Sequence, residues 1–303
     1  AVAANQQAAD AVDREQSANE QAATAQAAEG TAVALAEVAN TEVQSGATEV
    51  AAQSTFAAEA NATGEAANTQ VAVAGTVQAD AEREQDIADE FAFAVVLNAS
   101  NPQQAIARMD AIIGENPDRA YVYRLRGIVY AEQGNYELAI ADYNEAIRLD
   151  PEDSIAYSNR GIAYSDLGEY ERAIADYDAA LDLDSDNVNT YTNRGIVYRD
   201  LGETERAIAD FDAALDLDPD FAVAYTNRGI AYLDLGEIER AIADFDAALV
   251  IDPDSANAYT NRGIAYADLG QHERELANYD AALRIEPSAI RYTNRGNAYF
   301  RLD

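Results

Sequence analysis

Residues 222–255 place their apolar residues with the period of an α-helix, in two blocks separated by a glycine. This stretch reads AVAYTNRGIAYLDLGEIERAIADFDAALVIDPDS. Apolar residues recur at helical spacing as far as Leu235, and Gly236 is the residue type that commonly ends a helix in a left-handed conformation. A second helix is predicted over 237–251, because the Asp-Pro pair that follows does not continue a helix. The stretch therefore predicts two helices joined by a tight turn.

The same pattern recurs along most of the chain with a period of 34 residues. Glycines mark the period at Gly127, Gly161, Gly195, Gly229 and Gly263, and Gly296 follows after one residue fewer. The pentapeptide YTNRG, or YSNRG, accompanies most of these glycines. A fixed period of this length indicates one structural unit stacked on itself. We therefore predict an all-α fold, an α-solenoid of helix pairs.

This array resembles the tetratricopeptide repeat family. The family pattern of aromatic, small and proline positions is matched in one unit by Tyr225, Gly229, Tyr232, Ala241, Phe245, Ala248 and Pro253. The resemblance implies a right-handed solenoid of antiparallel helix pairs that acts through protein–protein contacts. It divides the array of residues 80–303 into a degenerate repeat (85–118), five full repeats (120–287) and a final half repeat (288–303).

The sequence departs from the family pattern in two informative ways. An arginine replaces the leucine before each repeat glycine, at Arg126, Arg160, Arg194, Arg228, Arg262 and Arg295. Aspartates recur on the second helices at Asp142, Asp176, Asp210 and Asp244, and we expect Arg–Asp pairs inside these repeats rather than arginines that bind a ligand. Glu275 stands where other repeats have Ala, which predicts a loosened fifth repeat or a Glu that turns to solvent.

The resemblance also implies a candidate binding groove on the first helices. The residues that it places there are Asn159, Thr192, Asn193, Thr226, Asn227, Thr260 and Asn261, together with Asp200 and Asp234. Some family members clamp a peptide carboxylate with groove lysines, but this chain has no Lys. An acidic groove favours a basic or neutral extended peptide. An inert, solvated face remains the alternative.

Composition excludes several classes of function. Asp and Glu number 55 against 20 basic residues, for a net charge of −35. Nucleic acid and anionic membranes are not expected as partners, because both require a basic face. There is no Cys and a single His, His272, so thiolate chemistry, Cys-type zinc sites and His clusters are not predicted. We expect no catalytic residues, no cofactor, no metal and no small-molecule substrate.

Residues 1–79 form an acidic segment rich in Ala, Gln, Thr and Val, predicted to be extended or partly helical, with disorder as the alternative. The sequence begins AVAAN, which is typical of a processed secretory protein, so an extracellular or cell-envelope location is expected and a cytoplasmic one is the alternative. Asn61 and Asn98 lie in formal N-glycosylation motifs. The longest apolar run, Phe91–Leu97, is too short to span a membrane.

The two ends of the array carry apolar residues without an evident partner. One end has Phe91, Phe93 and Val96, and the other has Tyr292, Tyr299, Phe300 and Leu302. Such ends predict head-to-tail contacts between copies, which can propagate into a filament. The expected function is thus a non-enzymatic interaction scaffold that assembles with itself. The alternative is a monomeric adaptor or receptor that binds a peptide in its groove.

Overall fold

The computed structural model describes residues 101–302. The twelve helices in these residues are α1 (Pro102–Glu115), α2 (Ala120–Glu132), α3 (Tyr136–Leu149), α4 (Ser154–Asp166), α5 (Tyr170–Leu183), α6 (Val188–Asp200), α7 (Thr204–Leu217), α8 (Ala222–Asp234), α9 (Ile238–Ile251), α10 (Ala256–Asp268), α11 (His272–Ile285) and α12 (Ala289–Leu302). No strand occurs among them. The predictions for residues 1–79 and for the start of the degenerate repeat lie outside the described residues.

The described helices fall into two compact units that meet in sequence after Pro151. The first unit contains α1, α2 and α3. Asn101 caps α1 by accepting a hydrogen bond from the Gln104 amide, and Pro102 follows at a position where no backbone donor is needed. Met109 of α1 and Leu125 of α2 are buried in one apolar cluster, which joins the two helices.

The second unit contains α4 to α12, and it repeats one packing pattern. The first and second helices of each repeat pack on each other as α4/α5, α6/α7, α8/α9 and α10/α11. Each second helix also contacts the first helix that follows it, and neighbouring first helices contact one another. The predicted α-solenoid of helix pairs is confirmed.

The turn inside each repeat depends on a glycine with positive φ. Gly236 has a φ of 74°, and Gly134, Gly168, Gly202 and Gly270 have similar values. The Glu237 amide donates to the Tyr232 carbonyl at 2.8 Å, and the Gly236 amide donates to the Leu233 carbonyl at 2.9 Å. These two bonds satisfy the last carbonyls of α8 and reverse the chain at the predicted position.

A second glycine in each repeat allows the two helices to cross closely. A Cβ placed on Gly229 would lie 2.6 Å from Cε1 of the Phe245 ring. Gly127, Gly161, Gly195 and Gly263 meet a Tyr or Phe ring in the same way. The glycine of the NRG motif therefore provides the hollow into which the second helix inserts its aromatic side chain.

Candidate functional site: the face of the first helices

The arginine of the NRG motif is fully engaged inside the protein. Arg228 donates from Nε to Oδ2 of Asp244 and from Nη2 to Oδ1, both at 2.8 Å. Arg126, Arg160 and Arg194 make the same two bonds to Asp142, Asp176 and Asp210. The hydrogen bond to Asp244 is the main cause that raises the pKa of Arg228. The predicted Arg–Asp pair is present, and it occupies the guanidinium that a ligand would need.

The same arginine also reaches backward along the chain, which we did not predict. Nη1 of Arg228 donates to Asp212 on the second helix of the preceding repeat, at 2.5 Å. Arg194 pairs in this way with Asp178, and Arg262 with Asp246. The signal in the sequence is a second aspartate, two residues after the one that ends the AIAD blocks at 173, 207 and 241. Arg194, Arg228 and Arg262 thus each join two consecutive repeats.

A second set of recurring arginines, Arg172, Arg206 and Arg240, contacts the tyrosines next to the tight turns. Arg240 stacks over the Tyr232 ring, with Cζ 3.9 Å from the ring centroid, and it donates to the Tyr232 hydroxyl and to Glu237. Arg172 and Arg206 stack on Tyr164 and Tyr198 at the same distance. Burial raises the pKa of Tyr232. These contacts account for the recurring Arg near the start of the second helices as a structural feature.

The asparagines of the NRG motif remain the best candidates for contact with a ligand. Asn159, Asn193, Asn227 and Asn261 are all partly exposed. Asn227 donates its amide to the Val223 carbonyl at 2.9 Å, which leaves its side-chain oxygen available. Within residues 101–302, the side-chain amides of the other three have no hydrogen-bond partner. The structure thus presents one amide on each of four neighbouring first helices.

The threonines before these asparagines do not contribute to such a surface in the same way. Thr192 is only 3% exposed, and its hydroxyl donates to the Val188 carbonyl. Thr226 donates to the Ala222 carbonyl one helical turn back. Because these hydroxyls bond their own helices, we correct the prediction that Thr192 faces a ligand.

Thr260 and Asn257 are engaged by Arg291 of α12. The Arg291 guanidinium donates to Thr260 Oγ1 at 3.1 Å and to Asn257 Oδ1 at 2.8 Å. Arg291 is buried, although the equivalent position in α8 and α10 is Ala. Its side chain therefore occupies part of the predicted groove next to α10.

Isoleucines lie one helical turn after the asparagines and share their side of each helix. Ile162 and Ile264 are exposed, and Ile196 and Ile230 are partly so. We call the surface formed by Asn159, Asn193, Asn227, Asn261, Ile162, Ile196, Ile230 and Ile264 the Asn–Ile face. Asp200 and Asp234 are exposed at the ends of their helices, and Asp200 pairs with Arg199 at 3.0 Å.

Glu275 corrects another expectation from the sequence. It is 0% exposed instead of turning to solvent. One of its carboxylate oxygens lies 2.9 Å from Nδ1 of His272, and the other accepts from Arg301 of α12. The Glu that replaces Ala in the fifth repeat therefore ties α11 to the end of α12.

The residues predicted as assembly ends divide into two groups. Tyr292, Tyr299, Phe300 and Leu302 are exposed on α12, with Phe300 at 85%. Phe91, Phe93 and Val96 lie outside the described residues, as do Asn61 and Asn98. No helix between residues 101 and 302 is long and apolar enough to cross a membrane.

The aspartates in the turns between consecutive repeats have a structural role. Oδ1 of Asp218 accepts the Asp220 amide at 3.0 Å, and Asp252 accepts the Asp254 amide in the same way. In the described part of the chain, no three acidic or His side chains are arranged to hold a metal ion. These carboxylates thus form turns that begin the next repeat.

Comparison with known families identifies the class of protein. Two models of the tetratricopeptide repeat family match the chain. One matches residues 127–168 and 163–202, and the other matches residues 192–256 and 226–290. Together these matches span more than half of the chain, so the chain belongs to the tetratricopeptide repeat family. Its fold is accordingly that of a protein–protein interaction scaffold.

Solved structures show the same fold at low sequence identity. A chain of the APC/C hetero-tetramer Cut9-Hcn1 is 20% identical, with 70% of this chain and 42% of that one covered and a TM-score of 0.61. PilF of Pseudomonas aeruginosa is 19% identical, with 62% and 90% covered and a TM-score of 0.54. A thermophilic tetratricopeptide repeat protein of Thermus thermophilus is 21% identical, with 60% and 98% covered and a TM-score of 0.50. No curated protein sequence matches the chain.

Proposed function

We propose that this chain is a non-enzymatic scaffold that binds an extended peptide across the Asn–Ile face. The observation that carries the proposal is the set of amides of Asn159, Asn193 and Asn261, which are partly buried and have no partner among the described residues. A partly buried amide is stabilised when water or a ligand completes its hydrogen bonds. A primary amide both donates and accepts, as the backbone of an extended peptide does.

The distance between neighbouring first helices suits an extended peptide that crosses them. Packed helices lie about 10 Å apart, and an extended chain advances about 3.3 Å per residue. A peptide that crosses successive first helices would therefore meet one asparagine at about every third residue. The isoleucines, with the exposed Val223, add apolar contacts for side chains that point toward the protein.

The acidic residues beside the Asn–Ile face favour basic or neutral peptides over acidic ones. The exposed Asp200 and Asp234 stand at the ends of the helices that carry Asn193 and Asn227. A basic or neutral peptide would be attracted or tolerated there, whereas an acidic one would be repelled. We propose no catalytic step, because the face carries amides and aliphatic side chains rather than a nucleophile and its base.

A selection experiment tests this function directly. Peptides from a random displayed library are selected on the intact chain and then measured against a variant with Asn159, Asn193, Asn227 and Asn261 replaced by Ala. The matched control replaces the exposed Glu171, Glu205, Glu239 and Glu273 of the second helices by Gln. The proposal predicts that affinity falls at least tenfold with the first variant only. Selected peptides that bind both variants equally well would contradict it.

Assembly of copies into filaments and an extracellular or cell-envelope location remain predictions. One of the two ends required for head-to-tail contact lies outside the described residues. The exposed side chains of α12 at the other end are equally compatible with a partner of a different kind.

A further inference from the structure

The first helices α4, α6, α8 and α10 differ from one another at one exposed position beside the Asn–Ile face. This position lies one helical turn before the asparagine of the NRG motif, on the same side of the helix. It is Ile155 in α4 and Val223 in α8, which are 38% and 51% exposed. In α6 and α10 it is an exposed asparagine, Asn189 and Asn257. Aliphatic and amide side chains therefore alternate from one first helix to the next.

Two of the four first helices present a pair of aliphatic side chains. In α8, Val223 and Ile230 flank Asn227, whose amide donates to the Val223 carbonyl at 2.9 Å and is thus turned toward its own helix. In α4, Ile155 and Ile162 stand at the same two positions. We call these pairs the α8 seat and the α4 seat. Each seat can receive one apolar side chain of a ligand.

Helix α6, which lies between the two seats, presents amides at the corresponding positions. Asn189 is exposed and Asn193 is partly exposed. In α10, the Asn257 side-chain oxygen accepts from Arg291 at 2.8 Å, which engages one of its two polar atoms. A primary amide donates to and accepts from a peptide backbone but gains nothing from an apolar side chain. We therefore expect α6 to contact the ligand backbone.

The carboxylates next to the two seats are free of ion pairs. Asp166 follows the α4 seat and Asp234 follows the α8 seat by one helical turn, and both are exposed and form no ion pair within the described residues. In α6, by contrast, Asp200 pairs with Arg199 at 3.0 Å. The charge beside each seat thus favours basic residues near the apolar residues of the ligand.

The distance between the seats determines how far apart these apolar residues are. The α4 seat and the α8 seat are two helix spacings apart, about 20 Å, which an extended strand crosses in about six residues. In a strand, residues six apart point to the same side, whereas residues three apart point to opposite sides. In a polyproline II helix every third residue points the same way, so α6 would meet the same kind of side chain as α4 and α8. The alternation therefore matches a strand.

We propose that the Asn–Ile face binds an extended strand that carries two large apolar residues six positions apart, with basic residues beside them. One apolar side chain would enter the α4 seat and the other the α8 seat, while the backbone between them bonds the amides of Asn189 and Asn193. This inference rests on the function proposed above and specifies the class of peptide that the face accepts.

The peptides selected from the random displayed library test the spacing. Among those that need the four asparagines, we expect enrichment of apolar pairs six positions apart over pairs five or seven apart. In the tightest of these peptides, a shift of one apolar residue by one position should weaken binding at least tenfold, because the side chain then points away from its seat.

Variants of the protein locate the seats. Val223→Asn gives α8 the residue type that α6 and α10 have, and it should weaken binding of the selected peptide at least tenfold. The matched control is Val250→Asn, because Val250 is 82% exposed on the second helix α9, and it should leave binding unchanged. Circular dichroism and the urea midpoint confirm that both variants are folded.

The outcomes distinguish this inference from the function on which it rests. Peptides that need the asparagines but show no preference for a spacing of six, or that bind Val223→Asn as tightly as the intact chain, would overturn the inference and leave the proposed function standing. Peptides that bind equally well after the four asparagines become alanine, or a selection that yields no binder, would overturn both.

Discussion

Arg228 and Asp244 form a pair of parallel hydrogen bonds between the two helices of one repeat, each 2.8 Å long. The remaining nitrogen of Arg228 binds Asp212 of the preceding repeat. One side chain therefore holds three helices together, at a position where the family pattern has leucine. Both members of the Arg228–Asp244 pair are largely withdrawn from water. Each charge therefore depends on the opposite charge of its partner to offset the hydration that it loses.

Removal of Asp244 should destabilise the array strongly. In Asp244→Ala, Arg228 keeps its charge but loses its bidentate partner, and we expect a loss of about 2–3 kcal/mol in the free energy of unfolding. Urea denaturation followed by circular dichroism measures the change.

The double variant Arg228→Leu/Asp244→Ala distinguishes the electrostatic contribution of the ion pair from the packing contribution of its two side chains. Because the one charge left without its partner, Asp212, is half exposed to water, the double variant should recover most of the loss, as replacement of buried pairs by apolar side chains often does. A double variant as unstable as Asp244→Ala would contradict this account of the pair.

Alanine at Gly229 and at Gly296 should have opposite effects. A Cβ on Gly229 would collide with the Phe245 ring, so Gly229→Ala should cost about 1–3 kcal/mol through overpacking. At Gly296 the space is open, and Ala should gain up to about 1 kcal/mol from its helix propensity. The urea midpoints of the two variants should therefore move in opposite directions, and equal shifts would disagree with the packing described.

Glu275 should hold α12 rather than stabilise its own repeat. In Glu275→Ala, the chain regains the residue that four other repeats have, but α12 loses its contact through Arg301. We expect amide hydrogen exchange to rise at least tenfold within α12 while α4 to α9 remain unchanged. Glu273→Ala, an exposed neighbour, serves as the control. Uniform acceleration along the array would show that Glu275 acts on the whole repeat instead.

Alkaline pH should destabilise the fold through its buried tyrosines. Burial, aided by the charge of Glu275, raises the pKa of Tyr279 to about 12. In the unfolded chain this tyrosine ionises near pH 10, whereas in the folded chain it keeps its proton until about pH 12. The free energy of unfolding therefore falls as the pH rises from 10 to 12. At pH 11 the loss from Tyr279 alone is about 1 kcal/mol relative to pH 8.

Tyr279→Phe should reduce this alkaline loss, because Phe occupies the equivalent place at Phe211 and Phe245. Tyr143 and Tyr177 also have raised pKa values, so part of the loss should persist. Tyr299→Phe changes an exposed ring and is the control. The measurement is the difference in urea midpoint between pH 8 and pH 11, and an unchanged difference in Tyr279→Phe would count against the assignment.

Local and repeated features were predictable from the sequence. The turn at Gly236, the helices on either side of it and the Arg228–Asp244 pair all follow from residues that recur with the 34-residue period. Periodic positions face the same environment in each repeat, so one unit predicts the others.

Features that depend on side-chain direction or on a single repeat were not predictable. The hydroxyl of Thr192 bonds its own helix instead of facing outward, a choice that spacing alone does not reveal. Glu275 is buried because Arg301, 26 residues later, reaches it across the packed helices. Arg291 fills part of the groove because α12 brings it beside Asn257. The contacts of Glu275 and Arg291 have no counterpart in another repeat from which to infer them.

Amide exchange of the intact chain, with and without a selected peptide, tests the central claim most directly. Binding across the Asn–Ile face predicts slower exchange in the first helices α4, α6, α8 and α10, and loss of this protection when the four asparagines become alanine. Protection confined to the second helices or to α12, or protection unaffected by the asparagine variant, would contradict the claim that this face binds the peptide.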